Sequence, residues 1–438
     1  MLKKFLLGLV GIFVAYVAVV WSGVLPRNTE AQEQALAVLN QPYQYAHGKQ
    51  NAFKHVWLAP YDIPAAEIDA AYALELQNYN AAAKAGTSAT YQSHLNKTYA
   101  RQELPGKRLC PRGPNSCLAF VRENPDESRK TAAEFSAYRL RTEKLRDADH
   151  LANALDFSFA TPLPPLAGIS GLQTLSAAVD FNDGKTDQAL DAVCRNYKVW
   201  RQLRSHNDIL VVDMVGVSFG NDQLNLLADM LAELPADHPL PASCSTALAP
   251  LAANEIDQCD IARGEMKTMS GAFAYAREAG IASVEFGQSG FFDSLVSSLI
   301  NVRASAARLA PHIAILCSGQ PAAPADFEIG LAERLFDPVG SYYTELAMPN
   351  YSEYRKRAMD FAGVLQMMRT LVWLRTQTDL ETAGDLQPDD LKMSDHKLVI
   401  DKTAKTLSIE LLAPRHDDPS KWTLPMAGSR LKPVTANQ

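Results

Sequence analysis

The stretch FLLGLVGIFVAYVAVVWSGVL, residues 5–25, is 21 residues long and carries no charge. A helix rises about 1.5 Å per residue, so this run matches a hydrocarbon core roughly 30 Å thick. Lys3 and Lys4 precede it, Pro26 and Arg27 follow, and no later segment equals it. A cleaved secretory signal has a shorter apolar region, about 7–15 residues, and a small-x-small site. Here Tyr16, Val20 and Trp21 stand where small residues would be wanted, so the run reads as an uncleaved transmembrane anchor. Short positive flanks stay cytoplasmic. Lys3 and Lys4 therefore place residues 27–438 in the periplasm of a bacterial inner membrane. Trp21 suits the outer interface, where an amphipathic ring can sit between lipid and water.

The net charge of −7 and pI of about 5.8 exclude the basic stripe that nucleic acid demands. Both signs of charge are interspersed after the anchor, as on an ordinary solvated surface. All six cysteines (Cys110, Cys117, Cys194, Cys244, Cys259 and Cys317) fall in the exported part, where an oxidising compartment favours disulfides. CPRGPNSC gives the sharpest pair, Cys110 with Cys117, because Pro111, Gly113, Pro114 and Asn115 form turns that bring the sulfurs together. The other four allow three pairings, among which the sequence does not choose. Cys194, inside a helical pattern, also reads as a small buried hydrophobe. No CxxC or HxxxH spacing indicates zinc.

Helical periodicity dominates after residue 60. Asp62, Pro64 and a closing Gly86 delimit one helix, with 86–117 irregular after it. A long helix is expected from Asn124 through Leu155, and TPLPPL (161–166) breaks the chain. Leu172, Leu175, Val179, Leu190, Val193, Tyr197 and Trp200 then recur at three- and four-residue spacings. They outline two helices joined at DGKTDQAL, with a third from Asn207 or Asp208 to Leu234. The break with Gly184 and Ala189 is similar to a tetratricopeptide-type turn, without a 34-residue period. Further helices are expected at 239–249, 254–280, 291–308 and 351–377, with PAAPAD (321–326) as a linker. KLVIDKTAKTLSIELL (397–412) alternates and reads as a β-hairpin. The tail from Pro414 reads as loose.

Chemical motifs are few. GVSFG (216–220) has the spacing of the nucleophile elbow, in which a strained turn lifts a serine above a sheet. Ser218 would then be the nucleophile of a serine hydrolase, with His312 or His396 as its base. Against this, helix follows helix upstream, and Ser218 fits a small-residue packing stripe. Gly287, Gln288, Ser289 and Gly290 lack the strand and Lys-Ser/Thr ending of a phosphate loop. His206, Asn207 and Asp208 read as a helix junction. Glu255, Asp257, Asp260 and Glu265 cluster near a helix start, which the dipole favours without any metal. Arg195, Trp200, Arg201 and Arg204 would suit an anionic head group, or form the edge of an apolar stripe.

DGKTDQALDAVCRNYKVWRQLRSHNDILVVDMVGVSFGNDQLNLLADMLAELP resembles a loose group of membrane-anchored bacterial envelope proteins with no established activity. Their pattern is a Gly-Asp-type turn with "eAL", an "LR" end and a following apolar helix. In that group the stretch matching GVSFG falls inside a helix. MPNYSEYRKRAMDFAGVLQMMRTLVWLRTQTDLETAGDLQPDDL is similar to their C-terminal segment, itself akin to secretion-system pseudopilins, but lacks the Gly-x-Tyr-Pro core. The resemblance implies a helical fold and an anchor and carries over no site residue.

The expected architecture is mainly α: one N-terminal transmembrane helix, an irregular, solenoid-like body of helical hairpins, and a small C-terminal β-hairpin. The divisions fall at 1–26 (stub and anchor), 27–123 (irregular and helical, with the Cys110–Cys117 loop), 124–320 (helical hairpins), 321–412 (helical segment with hairpin) and 413–438 (tail). The expected function is a membrane-anchored periplasmic scaffold or binding protein with a protein partner, no cofactor and no metal. A membrane-tethered serine hydrolase is the alternative.

Overall fold

The computed structural model describes residues 2–22, 27–43, 50–85, 87, 90–105, 109–111, 116–155, 166–279, 296–317, 329–347, 350–377, 388, 391, 395–414 and 420–430. The chain is mainly α-helical. In order, the helices are α1 (Leu2–Ser22), α2 (Glu30–Leu39), α3 (Ala52–Leu58), α4 (Ile68–Lys84), α5 (Leu95–Thr98), α6 (Ser116–Glu123), α7 (Pro125–Glu134), α8 (Ser136–Thr142), α9 (Leu166–Asn182), α10 (Thr186–Ser205), α11 (Leu210–Ala232), α12 (Ala242–Ala247), α13 (Ala253–Ile256), α14 (Cys259–Ala279), α15 (Val302–Ala314), α16 (Leu331–Phe336), α17 (Pro338–Ala347) and α18 (Tyr351–Leu374). Strands β1 (Val399–Asp401), β2 (Thr406–Glu410) and β3 (Lys421–Pro425) form one antiparallel sheet in the order β1-β2-β3.

The α9–α10–α11 unit is the centre of the body. Its first turn works because Gly184 adopts φ +80, a left-handed conformation that glycine takes without a Cβ penalty. Lys185 N then donates to Asp180 O at 2.9 Å, and Gly184 N to Phe181 O at 3.1 Å, closing the helix end. The second turn is made by Asn207. Its Nδ2 donates to the carbonyls of Leu203 and Arg204, and its Oδ1 accepts Ile209 N at 2.9 Å. One side chain thus ends α10 and starts α11, the helix junction that HND implied. Trp200, 1% exposed, packs edge-on against Phe219 and donates to Gln173 of α9 at 3.0 Å. Burying such a ring beside two helices is worth several kcal/mol, far above any surface contact here.

Several expectations are corrected. The helix expected from Asn124 to Leu155 is three pieces: α7, α8 and a 3-10 turn at Glu143–Asp147. The helix begun at Asp62 starts only at Ile68. The one expected over 254–280 breaks at Asp257–Gln258, where Gln258 N turns away to Leu316 O. The hairpin at 397–412 has a third strand, β3, within the supposed loose tail. Leu424 and Leu407 face each other across the sheet, both fully buried. The sheet is pinned to α18 by Asp360, whose carboxylate accepts Leu412 N, Ala413 N and His396 Nε2. After β3, Gly428 N and Arg430 N donate to the last carbonyls of α11. The linker at 321–326 and the glycine-rich point at 287–290 lie outside the described residues.

Helix α1 forms where the apolar run predicts one. Its Tyr16 hydroxyl donates to Leu335 O at 2.7 Å, and Val20 is buried. The side chains of residues 2–7, 9, 10, 13 and 21 are not among those described. Among the described residues no helix is long and apolar enough to cross a membrane.

Three disulfides join Cys110 to Cys117, Cys194 to Cys244 and Cys259 to Cys317. Their presence suggests an oxidising, extracytoplasmic compartment. Cys194 is therefore a cross-link from α10 to α12 rather than a free buried thiol. Sequence separations of 50 and 58 residues for the second and third bridges imply contributions of about 4 kcal/mol each; the separation of 7 for the first implies about 2 kcal/mol. Replacing both Cys194 and Cys244 by Ala should therefore cost about twice what replacing Cys110 and Cys117 costs, read by urea unfolding. The opposite ranking would contradict this assignment of strength.

Candidate functional site

GVSFG lies inside α11, with helix on both sides, and the strand–turn–helix of a nucleophile elbow is absent. Ser218 is half-buried on that helix. His312 sits on α15, where burial lowers its pKa, and His396 is held by Asp360 at 2.8 Å. The structure gives neither histidine a bond to Ser218. What the motif supplies is space. A Cβ on Gly216 would lie 2.9 Å from Arg204 Cβ, and one on Gly220 would lie 2.6 Å from Phe361 Cε2. These two glycines let α10 and α18 approach α11 closely.

That close approach encloses a buried charge cluster. Arg204 and Asp213 are 1% and 0% exposed, with Nε 3.0 Å from Oδ1. The contact is coulombic, because the N–H axis misses that oxygen. Gln258 Nε2 donates to Asp213 Oδ2 at 2.6 Å, and Arg204 Nη1 donates to Glu255 O at 3.0 Å. The Arg204 guanidinium also lies 4.7 Å from the ring centroid of Phe361, a cation–π contact. One turn earlier, Arg201 grips the Glu255 carboxylate with both Nε and Nη2 and donates to the carbonyls of Ala247, Ala249 and Pro250. Burial raises the Asp213 pKa, with Arg204 and Gln258 acting against it. Burial alone would raise Glu255, but the Arg201 bonds, the Ala252 N–H and the charges of Arg201 and Arg204 together hold the carboxylate below its usual range.

This cluster absorbs three of the residues that the sequence offered as sites: Arg201, Arg204 and Glu255. Trp200, Arg201 and Arg204 point inward, so they do not form a head-group patch; Arg195 faces out beside Asp191 at 2.7 Å. Among the acids, Glu255 serves Arg201, Asp260 pairs with Arg263 at 2.6 Å, and Glu265 accepts the Tyr351 hydroxyl at 3.1 Å. Among the described residues no group of three or more His, Cys, Asp or Glu side chains could hold a metal.

Two openings lie among the described residues. A groove of about 700 Å³ runs between α2, α14 and α15, lined by Leu36, Ala37, Val302 and Ala306, with Glu33, Arg277 and Arg303 among its polar residues. A smaller cavity of about 180 Å³, between the end of α18 and the sheet, is bordered by Arg375, Lys402 and Lys405 over Leu371, Leu407 and Met426. Sequence reasoning missed both. The groove residues are ordinary small and aliphatic side chains from three distant segments, and no spacing announces them.

No family model matches the chain, and neither does any curated protein or solved structure.

If GVSFG is a packing device, Gly220→Ala should destabilise the body by about 1–3 kcal/mol through overpacking against Phe361, and Ser218→Ala should be nearly neutral. Chemical unfolding of the two variants checks this. A neutral Gly220→Ala, or stoichiometric fluorophosphonate labelling that Ser218→Ala abolishes, would contradict it.

Proposed function

We propose that this chain is a membrane-tethered periplasmic scaffold or binding protein of the bacterial envelope, with α1 as its single transmembrane anchor. The groove between α2, α14 and α15 carries the reading. Its volume is that of a ligand site, about 300–1,000 Å³, yet nucleophile, general base and metal-ligand geometry are lacking among the described residues around it. An apolar floor with a rim of both charge signs suits an amphipathic peptide segment, as in helix-in-groove recognition. The wall is rigid where it matters. Cys259 at the start of α14 is bonded to Cys317 just beyond α15, so the two helices hold a fixed spacing. Helix α2 closes the other side: its Ala35 and Leu39 are buried in one apolar cluster with residues of α14 and α15, and its Glu33 pairs with Arg303 at 2.9 Å on the exposed rim.

The anchor reading is supported by the uncharged run 5–25, by Lys3 and Lys4 before it, and by the three disulfides. The envelope-protein resemblance of residues 166–280 agrees with it. A hydrolase acting through Ser218 has no supporting geometry.

The test is site-specific photo-crosslinking in intact cells, with a benzophenone side chain placed at Ala37 in the groove or at Leu140 on an exposed face away from it. A discrete adduct to one envelope polypeptide is expected from Ala37 and not from Leu140. It should disappear when Ala306→Trp fills the groove. Absence of an adduct from Ala37, or the same adduct from both positions, would overturn the binding reading.

A further inference from the structure

The largest exposure of any large apolar side chain among the described residues is at α16. Leu331 is 75% exposed and Leu335 48%, and Tyr342 of α17 adds 60%. Such side chains in a row demand a cover. The charges of the same two helices are all engaged. Glu333 accepts Gly330 N and lies 3.6 Å from Arg308. Arg334 pairs with Glu345 at 2.5 Å. Asp337 is buried against Arg308, Ser305 and Asn301 N. This edge therefore offers apolar side chains together with charges that are already neutralised.

We infer that the α16–α17 edge rests in the outer leaflet of the membrane that, on the anchor reading, α1 crosses. Continuity with α1 identifies the occupant: Tyr16 of α1 donates to Leu335 O, so the apolar helix and the apolar edge adjoin. Ile12, Val14 and Val19 of α1 are exposed as well. The depth agrees. From Ser22, the last residue of α1, back to Tyr16 is about 9 Å of helix. A tilt at the steep end of the ordinary range reduces that to about 7 Å. Interfacial helices lie with their apolar face about 5–10 Å into the headgroup and acyl boundary. Leu331 and Leu335, one turn apart on α16, would reach the acyl chains, and Tyr342 would sit at the headgroup level that its ring prefers.

The experiment uses the full-length protein in phospholipid nanodiscs containing a phospholipid with a diazirine on its acyl chain. After irradiation, labelled peptides are mapped by mass spectrometry. Label is expected in residues 5–25 and in residues 331–342, and not at Leu74 or Leu140, which are exposed apolar residues elsewhere on the body. Label confined to 5–25 overturns the edge contact and leaves the anchor standing. Absence of label in 5–25 overturns the anchor and the edge contact together. Equal label at Leu74, Leu140 and 331–342 overturns a specific membrane face.

Discussion

Arg204 and Asp213 sit at the joint between the two longest helices of the central unit, and both are removed from water. Each is at the helix end that its charge prefers. Arg204 is in the last turn of α10, where carbonyls gather, and Asp213 is in the first turn of α11, where N–H groups gather. Desolvating two ions costs several kcal/mol apiece, so mutual attraction alone scarcely repays the burial. The surrounding groups shift the balance: Gln258 on the carboxylate, the Glu255 carbonyl on the guanidinium, and the face of Phe361 across it. The pair therefore fixes which helices can meet here. An apolar substitute could give equal stability without that selectivity.

The consequences spread outward along the backbone. Gly216 has no Cβ, so Arg204 can lie against α11; Gly220 does the same for Phe361 and α18. Gln258 holds Asp213 with its side chain and Leu316 O with its N–H. That places Cys259 and Cys317 beside the joint, and their bond sets the spacing of α14 and α15. The groove wall is thus an extension of the buried ion pair. The C-terminal sheet is tied in separately through Asp360 on α18, which explains why a three-stranded sheet with short strands can persist at the edge of a helical body.

What was legible in the sequence is what local patterning encodes. The α9–α10–α11 hairpins were readable because Gly184 and the HND trio mark turns, and because apolar residues recur at helical spacing. The Cys110–Cys117 pairing was readable for the same reason: six intervening residues rich in turn formers have few other shapes. Strand β3 was not readable. Its five residues, KWTLP, gain their structure from pairing with β2, and alone they look like a proline-bounded loop. Arg201 and Arg204 were misread because a helical stripe containing arginine usually faces water. Only the fold reveals that Glu255 and Asp213 arrive from elsewhere to meet them. The groove escaped notice for a different reason: small side chains carry no chemical signature, and concavity is a tertiary property.

If the ion pair at the α10–α11 joint holds the body together as described, its two members must be strongly coupled. A double-mutant cycle on Arg204→Met and Asp213→Leu, followed by urea unfolding, measures this directly. Each single change should cost about 3–5 kcal/mol, because it strands a buried charge. The double variant should recover much of that loss, with a coupling of about 2 kcal/mol or more. Single losses that simply add, or single variants as stable as the parent, would contradict the account.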